Sequence, residues 1–232
     1  GNCCLCSIPM RFIIKGGKPL KGEVTVSGSK NAALPIIAAT LMSEEEFILT
    51  NVPDIEDVRM LLSIMKHVGT IWSFEDHTLR VQTKKILTTE IPQDLVQCLR
   101  ASILLIGPML ARAKKVRIGY PGGCVLGKRP VDTHLDGFRA LGVRVEEKGE
   151  VITLDATAAK AGKVILKEIS VTATENLMMF TSTLPGVSEI RLAALEPHVQ
   201  DLEKFLISAG VFIRGEGTHT LGIEGAETIR GI

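Results

Sequence analysis

An α/β domain made of three copies of one β-α-β-α-β-β unit is the fold this sequence predicts, and three observations carry the prediction. Amphipathic segments that end in glycine and run into a strand recur as DVRMLLSIMKHVG-TIW, HLDGFRALG-VRVEE and VQDLEKFLISAG-VFIRG. Their closing glycines, Gly69, Gly142 and Gly210, stand 73 and 68 residues apart, and self-similarity at such a period marks one supersecondary unit used repeatedly. Each unit also holds a segment that is small or apolar on nearly every face: NAALPIIAATLM, LRASILLIGPMLARA and ATENLMMFTSTL. A helix apolar all round has to be surrounded by protein. Finally, each unit closes on a paired strand motif, TIWSF/TLRVQT, VRVEEK/VITLDA and VFIRGE/TLGIEG, with polar or glycine-containing turns that suit hairpins.

The elements follow in order. Residues 1–9, GNCCLCSIP, read as an N-terminal extension before Met10 and MRFIIKGGKPLKG, which has the look of a protein start. Cys3, Cys4 and Cys6 crowd this extension, yet no second Cys or His pair at ligand spacing completes a metal site. Leu5 stands where a myristoylation pattern needs Ser or Thr. Residues 10–28 hold an early strand with no partner inside the repeat, expected to pack against something the chain does not contain. The repeated domain is expected over 29–226.

In each unit the apolar helix is followed by a strand (EFILTNV, KVRIGYP, SEIRLAA), the amphipathic helix, a glycine stop where left-handed backbone favours Gly, and the hairpin. Packing the three apolar helices together with the hairpin sheets outside satisfies all of them at once.

Charge and cysteine content limit the functional classes. With 27 basic and 26 acidic residues the net charge is +1, so no broad field gathers nucleic acid or an anionic membrane, and a bound anion needs a few placed cations. The apolar run Ala101 to Ala111 is far shorter than the roughly 20 residues of a bilayer span. Five cysteines, an odd number, make a poor disulfide framework and point to a reducing cytoplasm. Cys98 within LVQCLRASILL reads as a small buried apolar residue.

The second unit departs from the others. Aligning Pro53, Pro130 and Pro197 leaves GGCVLGKR as extra chain between the middle strand and the second helix, and long loops in compact domains commonly carry function. GGCVLGK fits a phosphate-binding P-loop until Arg129 replaces the magnesium-binding hydroxyl, and Pro130 does not suit the continuous helix that follows such a loop. Cys124 as a hydrolytic nucleophile needs a base and an orienting group, and only His134 lies nearby in sequence. Cys124 as a proton donor or acceptor fits better, because neighbouring Lys and Arg lower a thiol pKa from about 8.5 towards neutrality. Lys30 and Asn31, Arg100, and Ser170 with Thr172 stand at the starts of the three apolar helices. Three-fold repetition brings such positions towards one end of the domain, where helix N-termini favour anions. Each residue taken singly reads equally as an N-cap or a solvated charge.

Taken together, SGSKNAALPIIAATLM, LRASILLIGPMLAR, PGGCVLGKRPVDTH and SVTATENLMM, in this order and spacing, resemble the UDP-N-acetylglucosamine 1-carboxyvinyltransferase family of enolpyruvyl transferases from about Met10 onward. The resemblance implies an inside-out barrel domain that transfers enolpyruvate from phosphoenolpyruvate to the 3-hydroxyl of UDP-N-acetylglucosamine. It implies a cytoplasmic step of peptidoglycan synthesis, with the links to cell wall, cell shape and cell division that this step carries, and a target of fosfomycin. By the same resemblance Cys124 protonates phosphoenolpyruvate, Lys30, Asn31 and Arg129 hold it, and Arg100 lies beside both substrates. Arg129, Pro130, Val131, Asp132 and Thr133, with Ser170 and Val171, line the nucleotide-sugar pocket. No metal, cofactor, nucleic acid or membrane is implied.

Glu168 stands where the family usually has a basic residue, and Thr172 where glycine is common. The family chain is about twice as long, so a second domain, expected as the partner of residues 10–28 and reached by a crossover starting at 227–232, is missing here. Two rival readings stand beside this one: a relative acting in the shikimate pathway, and a nucleotide-sugar-binding fragment without turnover.

Overall fold

The computed structural model describes residues 11–121 and 131–232. The first unit runs α1 (Lys30–Ala39), a 3₁₀ turn (Thr40–Met42), β1 (Glu46–Leu49), α2 (Glu56–His67), β2 (Ile71–Glu75) and β3 (Thr78–Gln82). The second runs β4 (Glu90–Ile91), α3 (Gln93–Gln97), a 3₁₀ segment (Arg100–Leu105), α4 (Ile106–Ala113), β5 (Lys115–Gly119), α5 (Asp132–Ala140), β6 (Arg144–Lys148) and β7 (Val151–Asp155). The third runs β8 (Lys163–Ile165), α6 (Val171–Thr181), β9 (Val187–Arg191), α7 (Pro197–Ser208), β10 (Phe212–Arg214) and β11 (Thr220–Glu224).

The repeat expected from the sequence is present. Gly69, Gly142 and Gly210 all adopt positive φ, at 112°, 85° and 103°, and stop α2, α5 and α7. The strands form three separate sheets, ordered β1-β3-β2, β4-β5-β7-β6 and β10-β11-β9-β8. In the second and third the opening strand runs parallel to the middle one, Ile91 beside Ile118 and Val164 beside Ile190, and the hairpin completes the sheet antiparallel. The first hairpin turns on Asp76 and His77, both left-handed, the backbone that a tight two-residue turn requires.

Each sheet buries one face. Leu79 and Val81, Ile152 and Leu154, and Leu221 and Ile223 alternate with more exposed neighbours and meet the helices. α6 packs on α4, and the 3₁₀ segment packs on both α1 and α6. α2 and α7 flank α1, while α5 and α7 flank α6. Every residue of α6 from Ala173 to Thr181 is buried, as its all-round apolar sequence requires. Tilted Phe47–Phe205 and edge-on Phe138–Phe180 ring pairs, 5.7 and 5.6 Å between centroids, tie sheet to helix and helix to helix.

Two expectations need correction. The single helix expected over LRASILLIGPMLARA begins as a 3₁₀ segment and becomes α-helical only at Ile106. Pro108 has no N–H, and the Gly107 N–H donates to Asn176 Oδ1 at 2.7 Å instead of to its own helix, so tertiary contact interrupts the ladder at its start. Cys98 is half-buried, not fully enclosed.

Residues 11–27 lack helix or strand in this chain and are exposed throughout, Phe12 at 91% and Leu20 at 99%; the strands expected over 10–28 are expected against a second domain, which is not part of this structure. The first sheet accordingly has no parallel opening strand. Beside β1, the Ile48 N–H donates to Ile232 O at 2.8 Å and the Gly231 N–H to Glu45 Oε2 at 2.7 Å, so the last residues lie where β4 and β8 lie in the other sheets.

Candidate functional site

The 3₁₀ segment places Arg100 at its first residue, and α6 starts at Val171 with Ser170 as N-cap, whose Oγ accepts from the Ala173 N–H at 3.4 Å. α5, packed on α6, brings its first turn to the same place. The result is a pocket of about 350 Å³ lined by Arg100, Thr133, His134, Glu168, Ser170, Val171 and Thr172, within the usual size of a small-molecule site.

Two side-chain hydrogen bonds cross this pocket's wall. Thr133 Oγ1 donates to Glu168 Oε1 at 3.1 Å, and His134 Nε2 and Thr172 Oγ1 lie 2.8 Å apart. A third tie, Lys167 with Asp136, fastens the same strand-to-helix loop to α5. His134 is 4% exposed and its Nδ1 has no partner. Burial, and after it the positive charge of Arg100, depresses its pKa to about 4, so the ring is neutral through the physiological range and serves as a hydrogen-bonding group.

Of the residues singled out from the sequence, Arg100, Thr133, Ser170 and Val171 converge on this pocket. Val131 is buried just before α5, and Asp132, exposed, opens that helix. Lys30 and Asn31 open α1 behind the N-cap Ser29. Lys30 pairs with Asp57 of α2 at 2.8 Å, and neither residue lines the pocket. Cys124, Arg129 and Pro130 lie outside the described residues.

Glu168, Thr172 and His134 also line the pocket. Glu168 had stood out in the sequence only as a departure from a pattern, Thr172 both as that and as a helix-start residue beside Ser170, and His134 only as a base for Cys124. The signal that places them is pairing across two elements, Thr133-His134 against Glu168 and Thr172, which local spacing does not show. A larger cavity, about 780 Å³, lies at the opposite ends of the central helices, around Met42, Ala111 and Pro185. Arg112 lines it with its guanidinium already bonded to the Leu41, Ser43 and Lys84 carbonyls.

Known proteins give a consistent picture. UDP-N-acetylglucosamine 1-carboxyvinyltransferase of Methylacidiphilum infernorum is 43% identical over 230 residues, covering 95% of this chain and 53% of that protein. Enzyme 1 of that name from Carboxydothermus hydrogenoformans is 43% identical, covering 96% and 53%. The chain thus spans about half the length of the curated relatives it matches.

Among solved structures, the enolpyruvyl transferase NikO of Streptomyces tendae aligns with a TM-score of 0.79 at 22% identity, over 93% of this chain and 51% of that one. EPSP synthase of Acinetobacter baumannii aligns at 0.76 and 18%, over 93% and 49%, and at these identities the likeness shows the fold alone. No helix among the described residues is long and apolar enough to cross a membrane. The sequence model described as EPSP synthase (3-phosphoshikimate 1-carboxyvinyltransferase) matches residues 14–232, and the chain belongs to that family of enolpyruvyl transferases.

Proposed function

We propose that this chain is the cysteine-loop half of an enzyme that transfers enolpyruvate from phosphoenolpyruvate to the 3-hydroxyl of UDP-N-acetylglucosamine, a cytoplasmic step of peptidoglycan synthesis. The observation that carries this reading is the convergence of Arg100, Thr133, Ser170 and Val171, drawn from two of the three units, on one pocket. The 43% identity to UDP-N-acetylglucosamine 1-carboxyvinyltransferases supports it.

In the reaction the sugar hydroxyl gives up its proton to a base of the second domain as its oxygen bonds to C2 of phosphoenolpyruvate, and the methylene carbon C3 of phosphoenolpyruvate takes a proton. Loss of phosphate and of one methyl proton from the resulting tetrahedral adduct regenerates the enol ether. Cys124 is the proton donor. Lys30, Asn31 and Arg129 hold phosphoenolpyruvate, and Arg100 lies beside the substrates; cations placed where charge develops lower the barrier most in a site closed to water. Val131, Asp132, Thr133, Ser170 and Val171, with Arg129 and Pro130, hold the nucleotide sugar. A second domain supplies the surface against which this site closes. Residues 11–27, with their exposed Phe12, Ile14, Val24 and Val26, become strands against that domain, and 227–232 begin the crossover to it.

Phosphate release in the presence of both substrates tests the reading. The chain alone is expected to show no appreciable turnover, and a normal rate from it overturns the half-enzyme reading. Fosfomycin, an epoxide phosphonate, is expected to alkylate Cys124 at a rate changed by UDP-N-acetylglucosamine and not by shikimate 3-phosphate.

Two readings compete. The family's description favours a shikimate-pathway role, which the reverse pattern of labelling supports. The other is a nucleotide-sugar-binding fragment, which binding without turnover, even beside a second-domain chain, supports.

A further inference from the structure

The loop from Lys167 to Thr172 is bound to α5 by three side-chain pairs in sequence: Lys167 with Asp136, Glu168 with Thr133, and Thr172 with His134. The consequence is positional. Thr133 and His134 are 8% and 4% exposed and sit in the rigid first turn of α5, so the exposed Glu168 side chain is anchored at one oxygen by a fixed donor. It lines the same pocket as Arg100, so the pocket wall carries both a carboxylate and a guanidinium. Lys167 does not neutralise the Glu168 carboxylate, because Asp136 already engages it. A carboxylate only accepts hydrogen bonds, so the ligand group beside it must be a donor, and an anionic group there is repelled.

Resting on the nucleotide-sugar reading of the pocket, we propose that Glu168 is a specificity-determining residue, held by Thr133 so that its second oxygen accepts hydrogen bonds from the ribose hydroxyls. The phosphates then extend towards Arg100. A carboxylate reading a ribose diol is a recurrent solution in nucleotide sites, and it demands that the carboxylate be held still, since loss of side-chain freedom on binding weakens the contact. Thr133 holds the side chain directly, and the Lys167–Asp136 and Thr172–His134 pairs pin the two ends of the segment that carries it.

The test is an amide chemical-shift titration of the 232-residue chain, which registers even millimolar affinities. UDP-N-acetylglucosamine is compared with its 2′,3′-dideoxyribose analogue on wild type, Glu168→Gln, Glu168→Ala and Thr133→Val. Wild type is expected to prefer the ribose form by about tenfold, the size of one charge-assisted hydrogen bond. Glu168→Ala should erase that preference by weakening the ribose form alone, Glu168→Gln should reduce it, and Thr133→Val should fall between wild type and Glu168→Ala. Because the readout is a ratio within each variant, a general loss of folding lowers both affinities and is told apart, and the isosteric Gln variant repeats the test with least disturbance. A full ribose preference retained in Glu168→Ala overturns the specificity role and leaves the pocket reading intact. Wild type binding neither compound overturns the pocket reading itself.

Discussion

Asn176 Oδ1 accepts a hydrogen bond from the Gly107 N–H at 2.7 Å, while Asn176 Nδ2 donates to Thr172 O within its own helix. One side chain thereby closes the orphan donor at the start of α4 and ties it to the most buried helix. A Cβ on residue 107 would stand 2.4 Å from the Asn176 carbonyl oxygen, so the two helices meet backbone to backbone.

Asn176→Leu is therefore expected to lower stability by about 1–3 kcal/mol, the cost of leaving a buried N–H unpaired. Gly107→Ala forces the helices apart and is expected to cost a similar or larger amount, on the order of 1–3 kcal/mol or more. Urea unfolding midpoints of the two variants check both values.

Glu175 is 2% exposed, and its Oε1 has no partner. Burial first, and then the charge of Glu196, raises its pKa to about 8. The unfolded carboxyl titrates near 4.5, so the folded chain binds the proton more tightly. This contribution to stability is complete below about 4.5 and is lost as pH rises to about 8. Glu175→Gln should remove that decline and stabilise the protein by up to a few kcal/mol above about pH 8, order of magnitude only. Equal pH slopes for wild type and variant between pH 6 and 8 would contradict the assignment.

His134 has the opposite sense. Its folded pKa is depressed to about 4 from 6.5, so its contribution is complete above 6.5 and is lost as pH falls towards 4. Its ring resonances should stay unshifted until below about pH 5, and His134→Gln should flatten the acid limb of the stability curve. A ring titrating near its ordinary value would show that the side chain is not enclosed as described.

Arg112 gathers the end of the first apolar helix. Nη1 donates to Leu41 O at 3.1 Å and Ser43 O at 2.7 Å, and Nη2 to Lys84 O at 2.8 Å, from a side chain 12% exposed. Arg112→Lys keeps the charge but not the planar fork, so it should restore little of the roughly 2–4 kcal/mol expected to be lost in Arg112→Ala. Thermal unfolding of the pair decides whether geometry or charge is what matters.

The sequence shows the parts of the fold that local chemistry determines. Gly69, Gly142 and Gly210 mark the helix stops because left-handed backbone favours glycine, and TENLMMFT announces a buried helix because no face of it suits water. The 3₁₀ start of the second apolar helix could not be read there, since it depends on Asn176, 69 residues away from Gly107. Nor could the state of EVTVS: its alternation is strand-like, yet Val24 and Val26 are exposed and the segment forms no strand.

At the site, three-fold reasoning brings Arg100 near Ser170 and Thr172, and all three line one pocket. Lys30, assigned to the same end of the domain, opens α1 and pairs with Asp57, a contact between α1 and α2 that no repeat argument contains. Glu168 and Thr172, which the resemblance marks as departures, are bonded to Thr133 and His134.

The most direct test of the central claim is a paired amide titration of this chain with UDP-N-acetylglucosamine and with shikimate 3-phosphate. The account predicts saturable shifts at Arg100, Thr133, His134, Glu168 and Ser170 to Thr172 with the nucleotide sugar and none there with shikimate 3-phosphate. Shifts at those residues with shikimate 3-phosphate alone would contradict it.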